Sequence, residues 1–69
     1  MSIQEIGMTV KSRRRELKIT QPHLAELAQI SKNTLYKLER GQGNPSLEVL
    51  IRTAEVIGLE LRLAVKKIH

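Results

Sequence analysis

The apolar residues of this chain recur at two different periods, and the change between them divides the sequence. From Ile3 to Ile57 they follow the three-to-four-residue spacing of helices with one buried side, whereas from Leu59 onward they fall at every second position. After Ser2, the residues Ile3, Ile6, Val10 and Leu17 mark one stripe, with Arg13 and Arg14 filling its gap, which predicts a first helix over residues 3–18. Thr20 is an N-cap type, and Gln21 and Pro22 suit a first turn where proline is tolerated. A second helix over 20–28 therefore carries Leu24, Leu27 and Ala28 inward. Ser31 opens a third over 31–41, with Leu35 and Leu38 inside and Gly41 as the residue beyond its end. Past the Gly41, Gly43, Asn44, Pro45 turn, Ser46 caps a fourth helix over 46–57. Its Leu47, Leu50, Ile51, Ala54 and Ile57 hold core spacing until Gly58 stops it.

In the tail, Leu59, Leu61, Leu63 and Val65 alternate with other residues, matching a strand over 59–66. A lone strand leaves its backbone donors and acceptors unpaired, so its simplest partner is the same strand of a second copy, in an antiparallel ribbon about a two-fold axis. The expected fold is all-α: one domain over 1–69, of four to five short helices, with a C-terminal β-strand pairing across a dimer. Size points the same way. A core of 69 residues usually needs reinforcement; the chain has no cysteine for a disulfide, and His23 and His69 are too widely separated to form a metal-ligand set. Neither metal nor cofactor is expected, and a homodimer is. No apolar run reaches membrane-span length and no signal-peptide layout opens the chain, so the expected location is the cytoplasm, on the nucleoid.

Charge adds direction. Residues 11–40 hold eight Lys or Arg against three Glu, which accounts for the whole net charge of +5, and the remaining segments sum to zero. With no Asp and a pI near 10.1, the local excess suits a polyanion, nucleic acid ahead of a membrane surface. Two short helices joined by a turn of about three residues make a helix-turn-helix, whose second helix is offered to the DNA major groove. At 100° per residue, Lys32, Asn33, Tyr36, Lys37 and Arg40 share one arc of about 140°, and Leu35 and Leu38 point the other way. Lys32 in the first turn opposes the helix dipole, a local violation that an anionic ligand would explain.

These side chains match base edges. Lysine donates to guanine O6 and N7 and asparagine bridges adenine N6 and N7, so Lys32, Asn33 and Lys37 are the candidate base readers. Tyr36 is placed with them, against a thymine methyl or a phosphate, or else as a plain surface residue. Gln21 at the start of the second helix is a phosphate candidate, as helix N-termini favour anions, and Thr34 and Arg40 are further ones. Arg13, Arg15 and Lys18 supply either long-range attraction or only a solvated surface.

The segments T-Q-P-H-L-A-E-L-A at 20–28, S-K-N-T-L-Y-K-L-E-R-G at 31–41 and N-P-S-L-E-V-L at 44–50 resemble the Cro/lambda-repressor-like (Xre) helix-turn-helix family. The resemblance implies a bundle of short helices binding a palindromic operator as a dimer. It also implies a buried ion pair between Arg14 and Glu39, and the helical wheels agree in setting both beside apolar stripes. The sequence departs from the family at Lys18, where glycine commonly ends the first helix, so that turn is expected to be strained or differently shaped. The strand-like tail is further similar to antitoxins of the HipB type, which implies autorepression and a HipA-like kinase toxin as partner. A stand-alone phage-type or metabolic repressor is the alternative, and a module binding an acidic protein is a second. An enzyme is not expected: no glycine-rich phosphate loop or spaced acid/base set is present, and His23 reads as a surface residue.

Overall fold

Each helix begins where a side-chain oxygen can take up a backbone donor. The computed structural model describes residues 1–67, with helices α1 Ile3–Glu16, α2 Gln21–Ala28, α3 Lys32–Glu39 and α4 Leu47–Val56. Their N-caps are Ser2, Thr20, Ser31 and Ser46, which accept from the N–H groups of Glu5, His23, Thr34 and Val49. A cap of this kind contributes about 1 kcal/mol. For helices of 8 to 14 residues, too short to hold in isolation, that is a large share of their local stability.

All four helices also end alike. The paired bonds Ile19 N–H to Arg14 C=O with Lys18 to Arg15, Ile30 to Ala25 with Gln29 to Glu26, Gln42 to Lys37 with Gly41 to Leu38, and Leu59 to Ala54 with Gly58 to Glu55 repeat one left-handed closure. It requires positive φ at Lys18 (59°), Gln29 (58°), Gly41 (70°) and Gly58 (74°). Two of the four positions lack glycine. The turn after α1 therefore keeps the closure that glycine would favour, but with a lysine in it, at a cost of about 1–2 kcal/mol against a right-handed conformation.

The helices then pack α1 on α3, α2 on α3 and α2 on α4. Val10, Leu24, Ala25, Leu35, Leu38 and Ile57 form the buried cluster, with Ile3, Ile6, Ile19, Ile30, Leu50, Val56 and Leu59 packed around it. Where α1 crosses α3 the backbones approach so closely that a Cβ on Gly7 would run into the carbonyl oxygen of Leu38. Arg13 fastens the other end of α1 by donating from Nε at 2.8 Å to the carbonyl of Ile57, the C-cap residue of α4. Thr53 is fully buried; its hydroxyl donates to the Val49 carbonyl, which lets a polar residue sit in an apolar place.

Several sequence expectations change. The helices end one or two residues inside 3–18, 31–41 and 46–57, because the capping residues are not themselves helical. Leu17, Leu27, Leu47 and Ile51, all assigned to apolar stripes, are exposed. Spacing alone makes an apolar stripe wider than the neighbouring helix can cover. The predicted strand over 59–66 is absent from the single chain: residues 59–67 are neither helix nor strand. Alternation makes a segment two-sided, but only a second backbone makes it a strand. Leu59 packs against the core, while Leu61, Leu63 and Val65 are exposed. His69 lies outside the described residues.

Candidate nucleic-acid interface

The connection from α2 to α3 is three residues, Gln29 to Ser31. The left-handed Gln29 closes α2 and Ser31 immediately caps α3, so the two helices meet with no slack between them. The back of α3 is held by Leu35 and Leu38, both fully buried, and by Glu39. The opposite side, Lys32, Asn33, Tyr36, Lys37 and Arg40, is exposed throughout. Sequence reasoning thus placed the two sides of this helix correctly, because a short amphipathic helix has few ways to bury two leucines.

Behind the face lies a charge network. Arg14 is 9% and Glu39 4% exposed. Arg14 Nε donates to Glu39 Oε2 at 2.7 Å and Nη2 to Oε1 at 3.0 Å, a two-pronged pair, and Nη1 donates to the Ile19 carbonyl at 2.9 Å. The fork geometry matches a carboxylate edge on, which makes this ion pair a directional joint between α1 and α3. Gln21 completes it: its amide Nε2 donates to Glu39 Oε1 at 2.8 Å. The first residue of α2 is thereby tied to the last turn of α3, and the side chain read as a phosphate donor has one of its two amide N–H bonds directed inward. Sequence reasoning missed this tie, since nothing at spacing 18 marks two residues as neighbours.

The remaining candidates are distributed as follows. Thr34 is half-buried; its N–H donates to the Ser31 hydroxyl, which in turn donates to the Thr34 hydroxyl at 2.8 Å. Its own O–H is left as a donor at the edge of the face. Lys37 runs toward the loop after α3, its Cδ 3.8 Å from where a Cβ on Gly43 would stand. The Arg40 guanidinium lies over the Tyr36 ring, 5.3 Å from its centroid. The i, i+4 spacing of Tyr36 and Arg40 carried that signal, and it was not read. Leu61 and Leu63 do not join this face. They border a separate open apolar groove of about 480 Å³, together with Ile6, Leu47, Leu50 and Ile51. Among the described residues no cluster could hold a metal ion, and no helix is long and apolar enough to cross a membrane.

A recognition-type helix held from behind by leucines and an ion pair, abutting a second helix through a tight turn, defines a class of protein by its architecture. The family described as Helix-turn-helix (HTH_3) matches residues 10–63. The chain belongs to this family. It is 39% identical over 56 residues to the immunity repressor protein of Bacillus phage phi105, covering 81% of this chain and 39% of that one. It is 37% identical over 51 residues to an HTH-type transcriptional regulator of Methanothermobacter thermautotrophicus, covering 74% of each. The relatives from Methanococcus maripaludis are much longer, and the chain spans only 17% of their length. Among solved structures it is similar to the clp gene regulator ClgR of Corynebacterium glutamicum, with TM-score 0.79, 29% identity and coverage of 84% of this chain and 62% of that one. It is also similar to the restriction-modification controller protein C.AhdI of Aeromonas hydrophila, with TM-score 0.78, 26% identity and coverage of 84% and 88%.

Proposed function

We propose that this chain is a sequence-specific DNA-binding transcriptional repressor that docks the exposed side of α3 in the major groove as a homodimer. One observation carries the reading: five hydrogen-bonding or cationic side chains, Lys32, Asn33, Tyr36, Lys37 and Arg40, stand exposed together on a helix whose other side is anchored. Lys32, Asn33 and Lys37 serve as base readers. Gln21, with its free amide N–H and the α2 N-terminus, and Thr34 serve the phosphates. The relative named as a phage immunity repressor favours the stand-alone repressor over the HipB-type antitoxin. The antitoxin reading, with a HipA-like kinase as partner, rests on the tail pattern and chain size alone.

For the dimer, the tail leucines and the outer side of α4 offer one continuous apolar surface. A second copy on this surface would supply the backbone partner that residues 59–66 need to become a strand. The experiment is a titration of DNA by fluorescence anisotropy, using a palindrome enriched from a random pool, at several salt concentrations. The expected result is half-sites about one helical turn apart and log K falling with log salt by about 0.9 per phosphate contact. Equal affinity for random duplex would overturn sequence reading. Binding to an acidic protein that duplex DNA does not compete away would favour the interaction-module reading instead.

A further inference from the structure

The stack of Arg40 on Tyr36 assigns the two residues a joint role that neither has alone. We infer that Arg40 reads a guanine in the operator, and that Tyr36 is the positioning residue that holds its guanidinium at the centre of the face. The inference rests on the operator-binding reading above and goes beyond it in naming a base and the pair of residues that selects it.

Two lines of observation converge. At 100° per residue, Arg40 lies at about 80° on an arc running from Lys32 at 0° to Lys37 at about 140°, so it stands near the midline, the line that reaches deepest into a groove. Lys37, at the rim, leans away toward Gly43. Position along the axis works against Arg40, because it caps the C-terminal end of α3 and recognition helices present mainly their N-terminal residues to the bases. The contact with Tyr36 offsets this: with its guanidinium over the ring at 5.3 Å, the Arg40 side chain is turned back toward a residue that stands one helical turn, roughly 5.4 Å, nearer the N-terminal end of α3.

The second point is what remains free. Glu39, next in sequence, is already occupied by Arg14 and Gln21, and among the described residues no carboxylate pairs with Arg40. A guanidinium held over an aromatic ring still presents N–H donors that the ring does not engage. Those donors form the planar fork that fits guanine O6 and N7 together. A rigid aromatic support also reduces the rotamer entropy that a long exposed arginine would otherwise lose on binding.

The test is selection of bound duplexes from a random pool with the wild type and with Tyr36→Phe, Tyr36→Ala, Arg40→Ala and the Tyr36→Ala/Arg40→Ala pair. All are exposed substitutions whose folding is checked by circular dichroism. The expected result is one guanine per half-site whose preference falls by about 5- to 140-fold in Arg40→Ala and similarly in Tyr36→Ala, with the double variant no worse at that base. Tyr36→Phe keeps it, since the ring is retained. Uniformly weaker binding with unchanged base preference in Arg40→Ala would make Arg40 a phosphate contact and overturn the inference. Loss in Tyr36→Phe equal to that in Tyr36→Ala would assign the reading to the tyrosine hydroxyl and overturn it as well. A wild type that enriches no sequence overturns the operator-binding reading and this one with it, whereas enrichment unaltered in every variant overturns this one alone.

Discussion

Glu39 and Arg40 are adjacent in sequence and opposite in circumstance. Glu39 is buried and accepts three hydrogen bonds from two other side chains; Arg40 is exposed, with its guanidinium over the Tyr36 ring and no carboxylate partner among the described residues. The comparison teaches how a small helical domain separates two jobs on one short helix. Charge on the inner side is matched donor for acceptor and fixes where α3 sits, while charge on the outer side is left unmatched and available to a ligand. The inner set must be saturated because a lone buried charge costs several kcal/mol, and the outer set can stay open because water solvates it.

The sharpest way to break this contrast is on the inner side. Glu39→Ala should destabilise the domain by about 3–5 kcal/mol in urea denaturation, because it strands the Arg14 guanidinium. Removing both charges, as Arg14→Met with Glu39→Leu, should recover most of that loss. A single variant with an unchanged midpoint would show that the pair is not a joint at all. On the outer side, Asn33→Ala should leave the denaturation midpoint nearly in place and cost about 1–3 kcal/mol of affinity for the selected duplex, with relaxed preference at one base pair. Were it to lower stability by a comparable amount, the front of α3 would be structural like the back. Between the two sides sits the cap: Ser31→Ala should cost about 1 kcal/mol, read as a lower melting temperature. Smallest is Lys18→Gly, where relief of the left-handed backbone outweighs the added freedom of the unfolded chain and stabilises by up to about 1 kcal/mol. A lower melting temperature in that variant would mean the lysine side chain has a role that its backbone strain conceals.

What could be read from the sequence divides along similar lines. The starts of the four helices and the stops of α3 and α4 were legible to within a residue or two, because Ser2, Thr20, Ser31 and Ser46 and the glycines at 41 and 58 act through bonds within a turn of themselves; the closures at Lys18 and Gln29 carry no such mark. The sidedness of α3 was legible for the same reason. Burial of individual stripe residues was not: Leu47 is 66% exposed although it has ideal spacing, since coverage depends on which helix lies opposite. The Arg14 and Glu39 pairing came from family resemblance together with the wheels. The inclusion of Gln21 depends on how the start of α2 meets the end of α3, which no local pattern encodes. The tail illustrates the limit from the other direction, for its alternation is a property of one chain and a strand is a property of two.

The contact at Gly7 bears on how the exposed side of α3 could drift in evolution. Because α1 rests against the Leu38 and Glu39 backbone with no room for a methyl group, residue 7 acts as a spacer of zero thickness beneath α3. An alanine there would lift the end of α3 without altering any residue that faces outward, so under the operator-binding reading proposed above a target could change through the floor beneath the letters rather than through the letters themselves.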